Sequence, residues 1–230
     1  MPRDTPKLPS EAIELYNRYI HGEITRRDFL EGAKRFAIGG LTLGVIIDAL
    51  MPNYAFGQQV SKTDDRIKAE YVTVPSPQGN GSIKGYLVRP FSADTRTDTP
   101  AKLPGILVVH ENRGLNPHIE DIARRLALAN FMAFAPDGLT SVGGFPGDDF
   151  RGGQLFGKVD GQKMMADWVA SALWLKSRAD CTGRIGVTGF CYGGGVCNTL
   201  AVRLGADLAA AVPFYGGAPP EADVPKIKAA

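Results

Sequence analysis

From residue 60 onward the apolar positions switch between two periods. Residues 69–75 and 82–90 alternate with period two and predict a hairpin, its turn at Gln78-Gly79-Asn80-Gly81, where residues that tolerate positive φ are concentrated. Residues 94–100 read as a polar loop. The run Gly-Ile-Leu-Val-Val-His over 105–110 is apolar almost without a break, as in a strand buried on both faces. Period 3.6 then takes over: Ile119, Ile122, Leu126 and Ala129 predict a helix over 117–129, with Asn116 as its N-cap. A short buried strand follows at 131–135, and the glycine-rich, polar stretch 138–161 is long enough for a functional loop. A helix over 162–178, a strand over 184–190, a helix over 193–204 and a strand over 209–215 complete the pattern. Strands alternating with helices predict right-handed βαβ units, hence an α/β domain with a mostly parallel sheet flanked by helices. No internal repeat is apparent.

The first sixty residues are of a different kind. Ile13, Tyr16 and Ile20 lie at helical spacing in a polar context, followed by Thr25-Arg26-Arg27-Asp28-Phe29-Leu30-Glu31. An uncharged run from Phe36 to Ile47 and the small-residue triplet Ala55-Phe56-Gly57 come next. Paired arginines, a Gly-diluted apolar run and small residues resemble a twin-arginine export signal, which implies a periplasmic location and the export machinery as partner. Twelve uncharged residues are too few to span a bilayer of about 30 Å. The alternative is a pair of amphipathic helices on a cytoplasmic protein, favoured by Asp4, Glu11, Glu14, Glu23 and Asp48. Either way, residues 1–57 form a helical N-terminal segment and residues 58–230 the α/β domain.

Charge and cysteine usage narrow the chemistry. A formal net charge of +2 gives no reason to expect nucleic acid, and 44% hydrophobic residues support a sizeable core. Cys181, Cys191 and Cys197 are an odd number without CxxC spacing or a histidine cluster, so neither a disulfide framework nor a metal site is expected, and no cofactor is implied.

Cys191 stands out through its setting. In Gly189-Phe190-Cys191-Tyr192-Gly193 a β-branched strand ends and a helix begins with no room between them. Such a turn forces its central residue into a strained conformation, and glycines two before and two after relieve the crowding. Gly194 and Gly195 add room. At the helix N-terminus free N–H groups and the dipole favour a thiolate, and the N–H of Tyr192 faces the oxyanion of a tetrahedral intermediate. The bland reading is a Gly-rich turn with an inert cysteine.

Four stretches, in order, resemble the dienelactone hydrolase family of α/β-hydrolases: Ile106-Leu-Val-Val-His-Glu-Asn-Arg-Gly-Leu-Asn116, Ala135-Pro-Asp-Gly-Leu139, Gly183-Arg-Ile-Gly-Val-Thr-Gly-Phe-Cys-Tyr-Gly-Gly194 and Ala211-Val-Pro-Phe-Tyr-Gly216. The resemblance implies a Cys-Asp-His hydrolase of enol-lactones or related small esters, working through an acyl-enzyme. It implies that Glu111 pairs with the resting thiol and that the backbone of Asn112 gives the second oxyanion N–H. Arg113 departs from the apolar residue common there; binding a substrate carboxylate and pairing with Asp121 or Glu120 both remain open. His110 and His118 precede the nucleophile, contrary to the chain order of this architecture, and read as packing or rim residues. Cys181 and Cys197 read as core or helix residues.

The same architecture implies two further strands after residue 215, with the triad aspartate and histidine beyond Ala230. The segment Asp223-Val-Pro-Lys-Ile-Lys228 reads as the lead-in to the first of these. The expectation is therefore a C-terminally truncated hydrolase lacking its last strands and helices, itself inactive in turnover. The rivals are a non-catalytic remnant and a thiol redox protein, the latter disfavoured because no resolving cysteine has the usual spacing.

Overall fold

The computed structural model describes residues 8–20, 23–37, 42–50, 57–91 and 102–230. The expected polar loop at 94–100, part of the apolar run, and Ala55 and Phe56 lie outside the described residues. The chain divides into two compact units, Met1–Gly57 and Gln58–Ala230.

In the first unit, helices α1 (Ser10–Ile20), α2 (Arg26–Lys34) and α3 (Leu43–Leu50) bury Ala12, Phe29, Ala33 and Ile46. A capping box starts α2: the Thr25 hydroxyl accepts from the Asp28 N–H at 3.2 Å, and the Asp28 carboxylate accepts from the Thr25 N–H at 3.1 Å. Arg26 and Arg27 thus fall in its first turn. The expected apolar face of α1 keeps Tyr16 but takes Ala12 in place of Ile13. Ile13 is 49% exposed, whereas Ala12 is fully buried and Tyr16 and Tyr19 close on Phe29, because positions 12, 16 and 19 share one helical face. Among the described residues no helix is long and apolar enough to cross a membrane.

The second unit is a six-stranded sheet ordered β1-β2-β4-β3-β5-β6. Strands β1 (Ile67–Ser76) and β2 (Gly81–Pro90) form the predicted hairpin, and β2 runs antiparallel to β4 (Met132–Pro136). From β4 through β3 (Leu103–Val109), β5 (Cys181–Phe190) and β6 (Ala210–Phe214) the sheet is parallel. Helix α4 (Pro117–Leu128) covers one face through Ile119, Ala123 and Ala127, its first turn closed by Asn116, whose side chain accepts from the Ile119 N–H at 3.1 Å. Helices α6 (Gly161–Ser177) and α7 (Tyr192–Leu204) cover the other through Trp168, Ala172, Leu175, Val196 and Leu200. Along β3, Ile106 and Val108 face α4 while Leu107 and Val109 face α6 and α7, which is why that run carries no polar alternation.

Three features differ from the sequence reading. The stretch 138–161 is not simply a loop: it contains a helical turn (Thr140–Val142) and helix α5 (Asp149–Phe156), capped by the Asp148 side chain. Residues Glu221–Lys226, expected to lead into a strand, form a 3-10 helix. Extended pairing begins only at Ala230, whose N–H donates to the Ala209 carbonyl at 3.1 Å and whose carbonyl accepts from the Ala211 N–H at 3.0 Å. That is the bond pattern of a parallel bridge on the outer edge of β6.

The start of the second unit is tied to α4. Asp121 Oδ1 accepts from the N–H groups of Gln59 and Val60 at 3.1 and 2.9 Å, and the fully buried Arg124 donates from Nε to the Val60 carbonyl at 2.8 Å. Glu120 takes the Tyr71 hydroxyl and an ion pair with Lys62.

Candidate active site

Parallel strands end at a common edge, and the pairing of Val109 with Gly189 sets the ends of β3 and β5 side by side. Two residues further on in each chain segment stand Glu111 and Cys191. Cys191 has φ 55° and ψ −115°, a conformation a side chain rarely adopts, and α7 starts at the next residue. Its N–H donates to the Phe214 carbonyl of β6 at 3.0 Å, which ties the strained residue to the neighbouring strand. The flanking glycines are required by close approach. A Cβ on Gly193 would stand 2.7 Å from the His110 carbonyl, and one on Gly189 would stand 2.6 Å from the Gly193 carbonyl. Backbone meets backbone here, so no side-chain rearrangement makes room.

Tyr192 opens α7, where the first N–H groups have no intrahelical partner. Its ring packs edge-on to Phe156, and its hydroxyl accepts the indole N–H of Trp168 at 3.1 Å. Burial pushes its phenol above the ordinary range. Asn112 lies in the turn between β3 and α4, next to Glu111 in the chain.

The Glu111 carboxylate accepts the Tyr215 hydroxyl at 2.8 Å. Tyr215 follows β6 with φ 40°, a second strained non-glycine residue at the same edge, and is 71% exposed. Its phenol is pushed up by desolvation of the hydroxyl, then by the bond to Glu111, by the charge of Glu111 and by that of Cys191. One tyrosine therefore senses both Glu111 and Cys191. Sequence reasoning missed it, because its role depends on the β5–β6 pairing, which only the strain-prone Tyr215-Gly216-Gly217 after a strand hints at.

Arg113 lies against α5, and the α4 carboxylates that the sequence offered it are held by other groups. Asp121 is engaged by Gln59, Val60 and Arg124, and Glu120 by Tyr71, Lys62 and Arg124. The Arg113 guanidinium instead lies along α5, with Nη1 2.5 Å from where a Cβ on Gly153 would stand. His110 is fully buried against Trp168, ring centroids 5.2 Å apart, and His118 is exposed with its ring toward Phe190. Cys181 and Cys197 are buried, and burial pushes the Cys197 thiol up to about 12, so it is inert at neutral pH. Among the described residues no cluster of His, Cys, Asp or Glu is arranged to hold a metal ion.

Comparison with known proteins places the chain. A protein of Escherichia coli K12 named "Putative hydrolase fragment YghX" is 52% identical over 120 residues, which cover 52% of this chain and 97% of that one. Another from the same organism, "Putative carboxymethylenebutenolidase", is 35% identical over 162 residues, 68% of this chain and 56% of its own. The chain thus spans a little over half the length of that second relative. A dienelactone hydrolase-like promiscuous phosphotriesterase from metagenomic libraries superposes with a TM-score of 0.56 at 28% identity, covering 71% of this chain and 66% of that structure. A YqhI-like profile matches residues 1–38. The profile of the dienelactone hydrolase family matches residues 83–230, which take in the sheet from β2 onward and the elbow. With its mixed, mostly parallel sheet flanked by helices, the α/β-hydrolase arrangement, the chain belongs to the dienelactone hydrolase family of hydrolases.

Proposed function

We propose that this hydrolase attacks a carboxylic ester or enol-lactone with the Cys191 thiolate. The reading rests chiefly on one observation, the strained backbone of Cys191 between β5 and α7 with the Glu111–Asn112 turn beside it. Glu111 takes the thiol proton. The sulfur bonds to the acyl carbon, the N–H groups of Tyr192 and Asn112 hold the oxyanion, and the carbon–oxygen bond breaks to leave an alkoxide or enolate that is then protonated. A thioester on Cys191 remains for water to hydrolyse. Tyr215 donates to Glu111 and keeps its carboxylate aimed along the edge of the sheet. Arg113, lying along α5, is assigned to the substrate side of the site.

Cys191→Ala tests the nucleophile. With p-nitrophenyl acetate the variant is expected to lose the initial release of p-nitrophenol and to carry no acetyl mass, while its far-UV circular dichroism is unchanged. An acetylated Cys191→Ala protein would remove this residue from the mechanism.

The reading of residues 1–57 as a twin-arginine leader belongs to the same proposal. It is supported by Arg26-Arg27 held in the first turn of a capped helix ahead of an apolar segment. Replacing both arginines with lysine is expected to move the protein from the periplasmic to the cytoplasmic fraction. Identical cytoplasmic location of both forms would favour the packed-helix alternative.

A further inference from the structure

His110 lies next to the site but has no part in the chemistry above. Its ring is fully buried, and both ring nitrogens have partners. The N–H of Gly138 donates to Nε2 at 2.9 Å, so Nε2 carries a lone pair and no proton. The proton of the neutral ring then sits on Nδ1, which contacts the carbonyl of Glu111 and donates to it. Burial pushes the imidazole below its ordinary range, against the pull of Asp137 and Glu111, and so favours this uncharged form.

The Glu111 carbonyl shares its peptide plane with the N–H of Asn112. In a trans peptide the two point in opposite directions, and no cis bond occurs among the described residues. A carbonyl drawn toward the buried His110 ring therefore aims the Asn112 N–H away from the core. Resting on the oxyanion role given above to Asn112, we infer that His110 is a positioning residue: its Nδ1–H locks the Glu111–Asn112 peptide so that the Asn112 N–H faces the oxyanion.

The rest of the setting fits that use. The ring stands edge-on to Trp168, which leaves it one orientation, and Gly138 approaches so closely that a Cβ there would be 3.0 Å from Nε2. The Gly138 N–H thereby selects the tautomer, and the tautomer selects the direction of the peptide. Asp137 holds the same turn from the other side, accepting from the N–H of Leu115 at 3.2 Å and of Phe145 at 2.7 Å.

The test compares two reactions of Cys191 in the full chain. Acylation by p-nitrophenyl acetate develops an oxyanion; alkylation by iodoacetamide does not. His110→Leu is expected to slow acylation by about 10²-fold, the loss typical of one oxyanion donor, while alkylation changes by less than about twofold. His110→Asn, whose amide N–H reaches the Glu111 carbonyl, is expected to recover most of the acylation rate. Acylation unchanged in His110→Leu, or acylation and alkylation falling together, would overturn the inference. Wild-type protein that alkylates but never acylates would defeat the proposed function instead. The ring itself then decides the positioning role: ¹⁵N NMR at neutral pH is expected to show Nδ1 protonated and Nε2 bare, and the reverse tautomer would refute it.

Discussion

Mixed with p-nitrophenyl acetate, the 230-residue chain is expected to release about one equivalent of p-nitrophenol and then stall, the signature of an acyl-enzyme that is not resolved. On the proposed mechanism, attack needs only the thiol, a proton acceptor and the oxyanion donors, the parts given above to Cys191, Glu111, Tyr192 and Asn112. Resolution needs a base to activate water, worth roughly 10²–10⁴-fold. His110 has no lone pair to give, since Nε2 is taken by Gly138 and Nδ1 bears the proton. His118 stands in the first turn of α4 with its ring toward Phe190 rather than hydrogen-bonded to the site. Intact-mass spectrometry after the burst is expected to find one acetyl group on Cys191. Steady turnover by homogeneous protein would overturn this and bring His118 back as the base.

Gly193→Ala is expected to abolish both the burst and the native fold of the second unit. The added methyl would meet the carbonyls of Val109, the last residue of β3, and of His110 just after it, the latter at 2.7 Å. Neither can retreat without breaking the register that aligns Glu111 with Cys191, so a loss of about 3 kcal/mol or more is expected, the upper end for overpacking. Gly195, two residues on, provides the control. A Cβ there would first meet the Gly217 N at an ordinary 3.6 Å, and removing a glycine from a helix gains about 0.5–1 kcal/mol. Urea midpoints should therefore move in opposite directions for Gly193→Ala and Gly195→Ala. A Gly193→Ala midpoint equal to wild type would show that the elbow is less tightly closed than these distances imply.

The elbow was legible in the sequence because everything it needs is local: two glycines at fixed offsets, a β-branched strand before and a helix after. The hairpin, and α4 with its Asn116 cap, were legible for the same reason. Helix α5 was not, because Gly152 and Gly153 give it the composition of a loop. They are there because the Arg113 backbone lies against one and its side chain against the other, a contact some forty residues away in sequence. Arg113 was ambiguous in the sequence for the same reason. Tyr215 escaped because its hydroxyl reaches Glu111 only when β6 pairs beside β5, and the His110 tautomer escaped because it is set by Gly138, at the end of a different strand. In the first unit Ile13 misled because a larger apolar residue sits one position off a face that Ala12 occupies.

The bonds that join Asp121 and Arg124 to residues 59 and 60 also determine how the second unit bears load. A pull transmitted through residue 57 reaches Gln59 and Val60 first, where two N–H groups and one carbonyl are pinned to a helix turn. These three bonds stand between the pull and β1, which starts at Ile67. Because Arg124 is completely enclosed, the bond it makes to the Val60 carbonyl is shielded from water. A tug on the first fifty-seven residues therefore meets a clamp on α4 before it meets the hairpin, and that clamp stands on the helix that follows the Glu111 turn.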